Sequence, residues 1–267
     1  MTRVHRAHPP STGNKDSLST QVIYGIHPIH EALKSGHLQF QKILVGSHHP
    51  HPGIQAIMDL ACQRHVPVVS TTKEDLDRMM RGGSHQNIVG VIREFSYPDM
   101  KDILAQWKKG GGKALFLILD GIQDPQNLGA LIRTASGTGV HGLILPKDRA
   151  AGVTPAVIKV SAGATAYLPV VKVVNIANTI DLLKKEGVWV YGAAGEAKDP
   201  VYEVDFTNDL AIVIGSEGKG MRPLVKKKCD RLFSIPMAGP ISSFNASVSG
   251  GMILYEVMRQ RRIVKKP

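Results

Sequence analysis

The feature that most constrains this chain is a series of short, continuously apolar stretches in its second half, separated by helical or turn-forming segments. Ala114–Leu119, Gly142–Leu145, Leu168–Val173, Val188–Tyr191, Leu210–Ile214 and Leu232–Ile235 read as strands. Between them Leu128–Gly137, Thr154–Ser161 and Asn175–Glu186 carry helical patterning, and a longer helix is expected from about Asn245 to Arg262. Strands without polar alternation are buried on both faces, which calls for a largely parallel sheet covered by helices on each side. The expected class is therefore α/β. In such sheets ligands bind just beyond the carboxyl ends of the strands.

A smaller α/β unit precedes it. Helices are expected around Pro28–Ser35, Gly53–His65 and Lys73–Arg81, and strands around Lys42–Val45, Val66–Val69 and Asn87–Arg93. Pro67 cannot donate to a ladder, so its strand belongs at an edge. Residues 95–112 hold a modest helical stretch, Asp102–Lys108, and end in Lys109-Gly110-Gly111-Gly112. Three consecutive glycines carry high backbone entropy and mark a linker. Residues 1–20 are polar and rich in turn formers, and read as a disordered, slightly basic arm. The expected division is thus an arm (1–20), a small domain (21–94), a linker (95–112) and a larger domain (113–267).

The net charge is +11, with +4 on residues 1–112 and +7 on residues 113–267. That points to a polyanionic partner. With 5% aromatic residues, phosphate and shape contacts should outweigh base stacking. Attraction to an anionic membrane is the competing reading. No amphipathic basic helix supports it, and no run approaches the roughly 18–20 apolar residues of a membrane span. The amino terminus lacks the apolar core of a secretory signal, so a cytoplasmic protein is expected. Cys62 and Cys229 stand outside any metal-ligand spacing. His48, His49 and His51 lie in a loop beside Pro50 and Pro52 without a carboxylate or cysteine nearby. No metal is expected.

Three strand exits carry unusual residues. The first reads Asp120 through Ala135, with Asn127 as the expected N-cap of a helix and Arg133 in its second turn. The second reads Gly215-Ser216-Glu217-Gly218-Lys219-Gly220-Met221, whose glycines permit close approach of backbone to a ligand. The third runs from Ile235-Pro236-Met237 to Ser243-Phe244-Asn245-Ala246-Ser247, presenting hydroxyls, an amide and free N–H groups at the start of the last helix. Capping and tight turns explain each exit taken alone. Dinucleotide and P-loop patterns are absent, because no GxGxxG follows the first strand and Gly218-Lys219 is followed by Gly220.

Taken together and in order, these exits resemble the three signature motifs of the SpoU (TrmH) family of SPOUT methyltransferases. The matching text is Asn127-Leu128-Gly129-Ala130-Leu131-Ile132-Arg133-Thr134-Ala135, then Ile214-Gly215-Ser216-Glu217-Gly218, then the third exit as quoted. Lys159-Val160-Ser161-Ala162-Gly163-Ala164 is similar to a further family stretch. Upstream, Tyr24-Gly25-Ile26-His27-Pro28 and Ser84-His85-Gln86-Asn87-Ile88 resemble the ends of an L30e-like RNA-binding domain, as in the bacterial RlmB-like enzymes. Phe244 stands where Leu is usual and Ala246 where Val is usual, and Ser249-Gly250-Gly251 should loosen the start of the last helix.

The resemblance implies a C-terminal trefoil-knot domain, a homodimer, and S-adenosylmethionine-dependent methylation of an RNA ribose 2′-hydroxyl. It implies a guanosine of large-subunit (23S) rRNA as the target. A drug-resistance rRNA or tRNA ribose methyltransferase, or a non-catalytic RNA-binding assembly factor, are the alternatives. By the same resemblance Arg133 is the central catalytic residue, positioning a phosphate or taking the proton. Positioning is favoured, because an arginine stays protonated near neutral pH. Asn127 and Glu217 would orient Arg133 or the substrate, and Ser243 and Asn245 would line the same pocket. The cofactor would rest on Gly215, Ile235, Phe244, Met237 and Ser247, with Ala193 and Gly195 closing one side.

Overall fold

The structure, a computed structural model, describes residues 20–47, 51–80 and 84–263. The expected amino-terminal arm, His48 and His49, and the end of the third expected helix at Arg81 therefore lie outside the described residues, Thr20 excepted. His51 is described: its Nδ1 accepts a hydrogen bond from Gly53 N and caps a helix.

The first unit is a four-stranded sheet of β1 (Thr20–Tyr24), β2 (Phe40–Gly46), β3 (Val68–Thr71) and β4 (Ile88–Arg93), in the order β1-β4-β2-β3. It alternates with α1 (Ile26–Ser35), α2 (Pro52–Gln63) and α3 (Lys73–Met80). β4 runs antiparallel to both neighbours, while β3 lies parallel to β2 at the edge. The edge strand starts at Val68 rather than Val66 because Pro67 offers only its carbonyl, which accepts from Ile43 N at 2.8 Å. β1 was absent from the sequence reading; its apolar run is short and abuts a polar segment.

The second sheet contains β5 (Leu115–Asp120), β6 (Gly142–Pro146), β7 (Val170–Val173), β8 (Trp189–Ala193), β9 (Leu210–Gly215) and β10 (Arg231–Phe233). All pairings are parallel, in the order β10-β8-β9-β5-β6-β7. Its helices are α4 (Met100–Gly110), α5 (Pro125–Gly137), α6 (Pro155–Val160), α7 (Ile176–Lys185), α8 (Pro223–Lys228) and α9 (Ala246–Ile263). Leu115, Leu117 and Leu119 of β5 face a core shared with Leu131 and Leu254, whereas Phe116 and Ile118 face a second core with Ile103, Ile176 and Ile180. Strand order reverses between β5 and β9, so the carboxyl ends of these two strands flank the switch point where such sheets hold ligands.

The stretch expected as a linker is largely helix α4. Asp99 and Asp102 form a capping box at its start. Ile103 and Leu104 are buried in the second core, and Trp107 meets Phe116 edge-on at 5.8 Å. The glycine run only terminates this helix. Its apolar face was obscured in the sequence because it is short.

The stretch Lys159–Ala164 is where the two units meet. Ala162 and Gly163 both have positive φ, and a Cβ on Gly163 would lie 2.7 Å from Glu31 Cβ of α1. Nearby, Tyr167 Oη donates to Glu31 at 2.5 Å, and this carboxylate pushes the phenol pKa up to about 12. Lys159 Nζ stands 4.3 Å above the Tyr24 ring.

The start of α9 is not loosened by its glycines in the way the sequence suggests. A Cβ on Gly250 would fall 2.3 Å from Leu131 Cδ2 and 3.1 Å from Ile214 Cδ1, so this glycine lets α9 cross α5 and β9 closely. Gly251 has nothing within 4 Å. Gly250→Ala should therefore destabilise the protein by about 1–3 kcal/mol through overpacking. Gly251→Ala should instead stabilise it by up to about 1 kcal/mol through helix propensity. Thermal denaturation of the two variants side by side tests the contrast, and equal shifts would refute it.

Candidate active site

The carboxyl ends of β8, β9 and β10 open onto a cavity of about 810 Å³. Its walls include Ala193 and Gly195 after β8, Ile214 through Met221 after β9, and Ile235, Met237, Ser243 and Phe244 after β10.

The β9 exit folds into a tight hairpin. Ser216 N donates to Gly220 O at 3.1 Å and Gly220 N donates back to Ser216 O at 2.9 Å, with positive φ at Gly218 and Gly220. A Cβ on Gly215 would lie 2.1 Å from Gly220 C, so any side chain there would force the hairpin open. The hairpin's exit is fixed to β5: the buried carboxylate of Asp120 accepts from Arg222 N and from its Nε, each at 2.7 Å. Sequence reasoning missed this pair, whose members are 102 positions apart.

Glu217, at the hairpin tip, accepts from Asn127 Nδ2 at 2.5 Å. Asn127 Oδ1 in turn accepts from Asn245 Nδ2 at 2.9 Å. Asn245 Oδ1 accepts from Ser247 N at 2.8 Å and Val248 N at 3.3 Å, capping α9. The orientation of both amides follows from their ends: a carboxylate can only accept, and backbone N–H groups can only donate. One polar chain thus joins all three strand-exit motifs, from the cavity wall at Glu217 through the buried Asn127 to the last helix.

Several expectations change here. Asn127 is not the N-cap of α5; Asp124 is, accepting from Gln126 N at 2.9 Å with Pro125 following. An aspartate before proline is the stronger helix start, and it frees the Asn127 amide for the site. Ser247 does not line the cavity: its N and Oγ both donate to Asn245, while Ala246 and Ser249 supply the wall. Gly215, Ile235, Phe244, Met237, Ala193, Gly195, Glu217 and Ser243 do line it. Arg133 does not. It is exposed and makes no hydrogen bond or ion pair with any described residue, so Asn127 and Glu217 do not orient it within this chain. Six residues along a helix is a turn of about 240°, which sends the two side chains to different faces.

Gly195, Ile235, Met237, Ser242, Ser243 and Phe244 make no hydrogen bond among the described residues. Their N–H and C=O groups are unspent, in a wall that also contains Ile214, Met221 and Ala246. A flat apolar ring edged with donors and acceptors fits such a wall. The thiol of Cys229, which burial pushes up to about 12, offers no nucleophile. No group of three or more His, Cys, Asp or Glu that could hold a metal occurs among the described residues, and none of their helices is long and apolar enough to cross a membrane.

Comparison with known proteins decides the family. The family described as "SpoU rRNA Methylase family" matches residues 114–255, and "RNA 2'-O ribose methyltransferase substrate binding" matches residues 22–98. The chain belongs to the SpoU rRNA methylase family. Among relatives, it is 43% identical to the 23S rRNA (guanosine-2'-O-)-methyltransferase RlmB of Coxiella burnetii, over 90% of this chain and 95% of that protein. It is 37% identical to RlmB of Pseudomonas putida, over 90% and 97% respectively. Among solved structures, the SpoU methyltransferase AviRb from Streptomyces viridochromogenes, in complex with the cofactor AdoMet, superposes with a TM-score of 0.78. The sequence identity is 25%, and the match covers 90% of each chain. As a SpoU methylase, this chain places its family motifs at the exits of β5, β9 and β10, where the polar chain and the cavity meet.

Proposed function

We propose that this SpoU methylase transfers a methyl group from S-adenosylmethionine to the ribose 2′-hydroxyl of a guanosine in 23S rRNA. The observation that carries this reading is the polar chain Glu217–Asn127–Asn245 standing against a cavity whose backbone groups are unspent. The names of the RlmB relatives and the AdoMet complex of AviRb support the substrate and the cofactor. The wall formed by Gly195, Ile235, Met237 and Phe244 suits an adenosyl group, with the close Gly215–Gly220 contact keeping that space open.

When bound, S-adenosylmethionine supplies a methyl group on a positively charged sulfur. The residues of this chain must align a weak nucleophile with it and help remove a proton. Glu217 uses only one carboxylate oxygen on Asn127, leaving the other to accept from the ribose hydroxyl. Ser243, which makes no hydrogen bond among the described residues, adds a second polar contact. Arg133 holds a phosphate of the target strand, since a permanently charged fork suits that anion.

Residues 21–94 are read as the RNA-recognition domain and residues 113–267 as the catalytic domain, the latter threaded as a trefoil knot. The protein acts in the cytoplasm. It works as a homodimer: Val248, Met252 and Tyr255 line one face of α9 at 46, 41 and 63% exposure, an apolar stripe that a second copy would cover. Arg133, on the neighbouring helix α5 and without a partner among the described residues, would then complete a site at that interface.

Two measurements test the reading. Mapping 2′-O-methylation on rRNA and tRNA from cells with and without the gene should show one guanosine of 23S rRNA losing its methyl group; no change at any rRNA or tRNA nucleotide would overturn the proposal. Arg133→Ala should abolish transfer while leaving the melting temperature and the calorimetric affinity for S-adenosylmethionine unchanged. Full turnover in that variant would remove Arg133 from the mechanism.

A further inference from the structure

Non-glycine residues with positive φ are uncommon, and each needs a cause. Five occur among the described residues: His65, Gln86, Asn87, Arg149 and Ala162. Four have one within the chain. Gln86 turns so that its Oε1 accepts from Ile26 N at the start of α1 (2.9 Å), and Asn87 lays its side chain over Gly46. Ala162 makes the turn beneath α1, and His65 closes the end of α2 by donating its N–H to Cys62 O. Arg149, at φ 59°, makes its turn between the anchored Lys147 and Ala151, and its own side chain takes no part in holding that turn. It is exposed, and its guanidinium meets no partner among the described residues.

The loop that carries it is nonetheless held firmly. Lys147 N donates to Val173 O, Ala151 N to Ile122 O, and Val153 N to Tyr97 Oη, each at 2.8 Å. Lys172 Nζ sits 4.2 Å above the Tyr97 ring, closing the outer side. The loop leaves the carboxyl end of β6, the same edge of the sheet as the cavity. The carbonyl of Arg149 lies 3.9 Å, and Cβ of the cavity residue Ser216 lies 3.7 Å, from the point where a Gly121 side chain would begin. Three strand exits therefore converge at Gly121, the third through the main chain of Arg149, whose guanidinium has no partner among the described residues.

We propose that Arg149 is a substrate-positioning residue that binds a backbone phosphate of the RNA next to the methylated nucleotide, with Tyr97 fixing the loop that presents it. Lys147, exposed in the same loop and with no side-chain partner among the described residues, adds a second cation, and with the exposed Asp148 between them the loop carries a net charge of +1. The inference rests on the RNA-methylating reading above. The ligand chemistry it fits is that of an anion: a guanidinium without a partner among the described residues, carried by a loop whose main chain is anchored on both sides of it.

The test compares Arg149→Ala, Arg149→Gly and Arg149→Lys in the full chain, measuring RNA affinity against salt concentration together with KM and kcat. Removing one phosphate contact should raise KM for RNA about tenfold and lower the slope of log K against log salt by about one. Turnover at saturating RNA and affinity for S-adenosylmethionine should hold. Arg149→Gly is decisive, because glycine adopts the turn freely: loss as large as in Arg149→Ala assigns the effect to the charge. Arg149→Lys should keep most of the salt slope. Wild-type affinity and slope in both Arg149→Gly and Arg149→Ala would overturn the proposal. The salt slope is read from binding alone, so it tests Arg149 independently of turnover; a wild-type protein that methylates no RNA would instead sink the functional reading.

Discussion

Replacing Asn127 by alanine is expected to lower kcat about 100-fold, or roughly 2.7 kcal/mol at the transition state, with only a modest fall in melting temperature. Asn127 lies at the centre of the polar chain, donating to Glu217 and accepting from Asn245. Without it the Glu217 carboxylate loses its tether, and displacement of a reacting group by about 1 Å can cost that factor in rate. Stability suffers less because Glu217 and Asn245 are both exposed and can recruit water. Asn127→Asp is the sharper variant. It sets a second carboxylate against Glu217, so one of the pair takes up a proton more readily than usual. Its activity should fall as far as that of the alanine variant at alkaline pH and recover partly as the pH is lowered. Steady-state kinetics across pH, with calorimetric titration of the cofactor, measures both; wild-type kcat in Asn127→Ala would detach the amide from catalysis.

The largest effect on stability should come from Arg261→Ala. This guanidinium donates to four carbonyls: Phe206 O at 3.1 Å, Lys113 O at 3.1 Å, and Ala114 O and Asn208 O at 2.7 Å each. Those carbonyls stand at the entry ends of β5 and β9, so one side chain fastens the end of α9 to the two central strands. Its removal leaves several polar groups without partners at once, a cost of about 3–5 kcal/mol. The melting temperature should fall by about 10 °C. Arg261→Lys should recover little, since an ammonium cannot span four acceptors arranged around a planar fork. Cofactor affinity measured well below the transition should stay near wild type, because these contacts lie at the opposite end of the strands from the cavity.

The parallel sheet and the three exits were legible because each exit sets glycine, amide or hydroxyl residues directly after an apolar run. Nearly all the residues proposed to hold the cofactor do line one cavity. What the sequence hid was long-range pairing. Asp120 and Arg222, Arg261 and its carbonyls, and the bond between Asn127 and Asn245 join positions about a hundred or more apart, or join side chain to main chain, and no local pattern encodes them. Local competition misled as well. Asn127 was the plausible cap until Asp124-Pro125 took that role, and Ser247 was a plausible wall residue until Asn245 engaged both of its donors. Helix α4 was legible only as the modest stretch Asp102–Lys108 within an expected linker, because its short apolar face of Met100, Ile103, Leu104 and Trp107 stands next to a run of glycines.

Helix α9 is fastened at both ends, by Asn245 to the polar chain and by Arg261 to the strand entries. This has a consequence for the timing of competence during synthesis. Asn127 and Glu217 leave the ribosome well before their partner, and the fastening that holds α9 across them depends on a residue made later still. A nascent chain that has emerged as far as β10 therefore carries the cavity walls without the brace that aligns them. The aligned arrangement of Asn127 and Glu217 is thus complete only once the last helix has been made and docked.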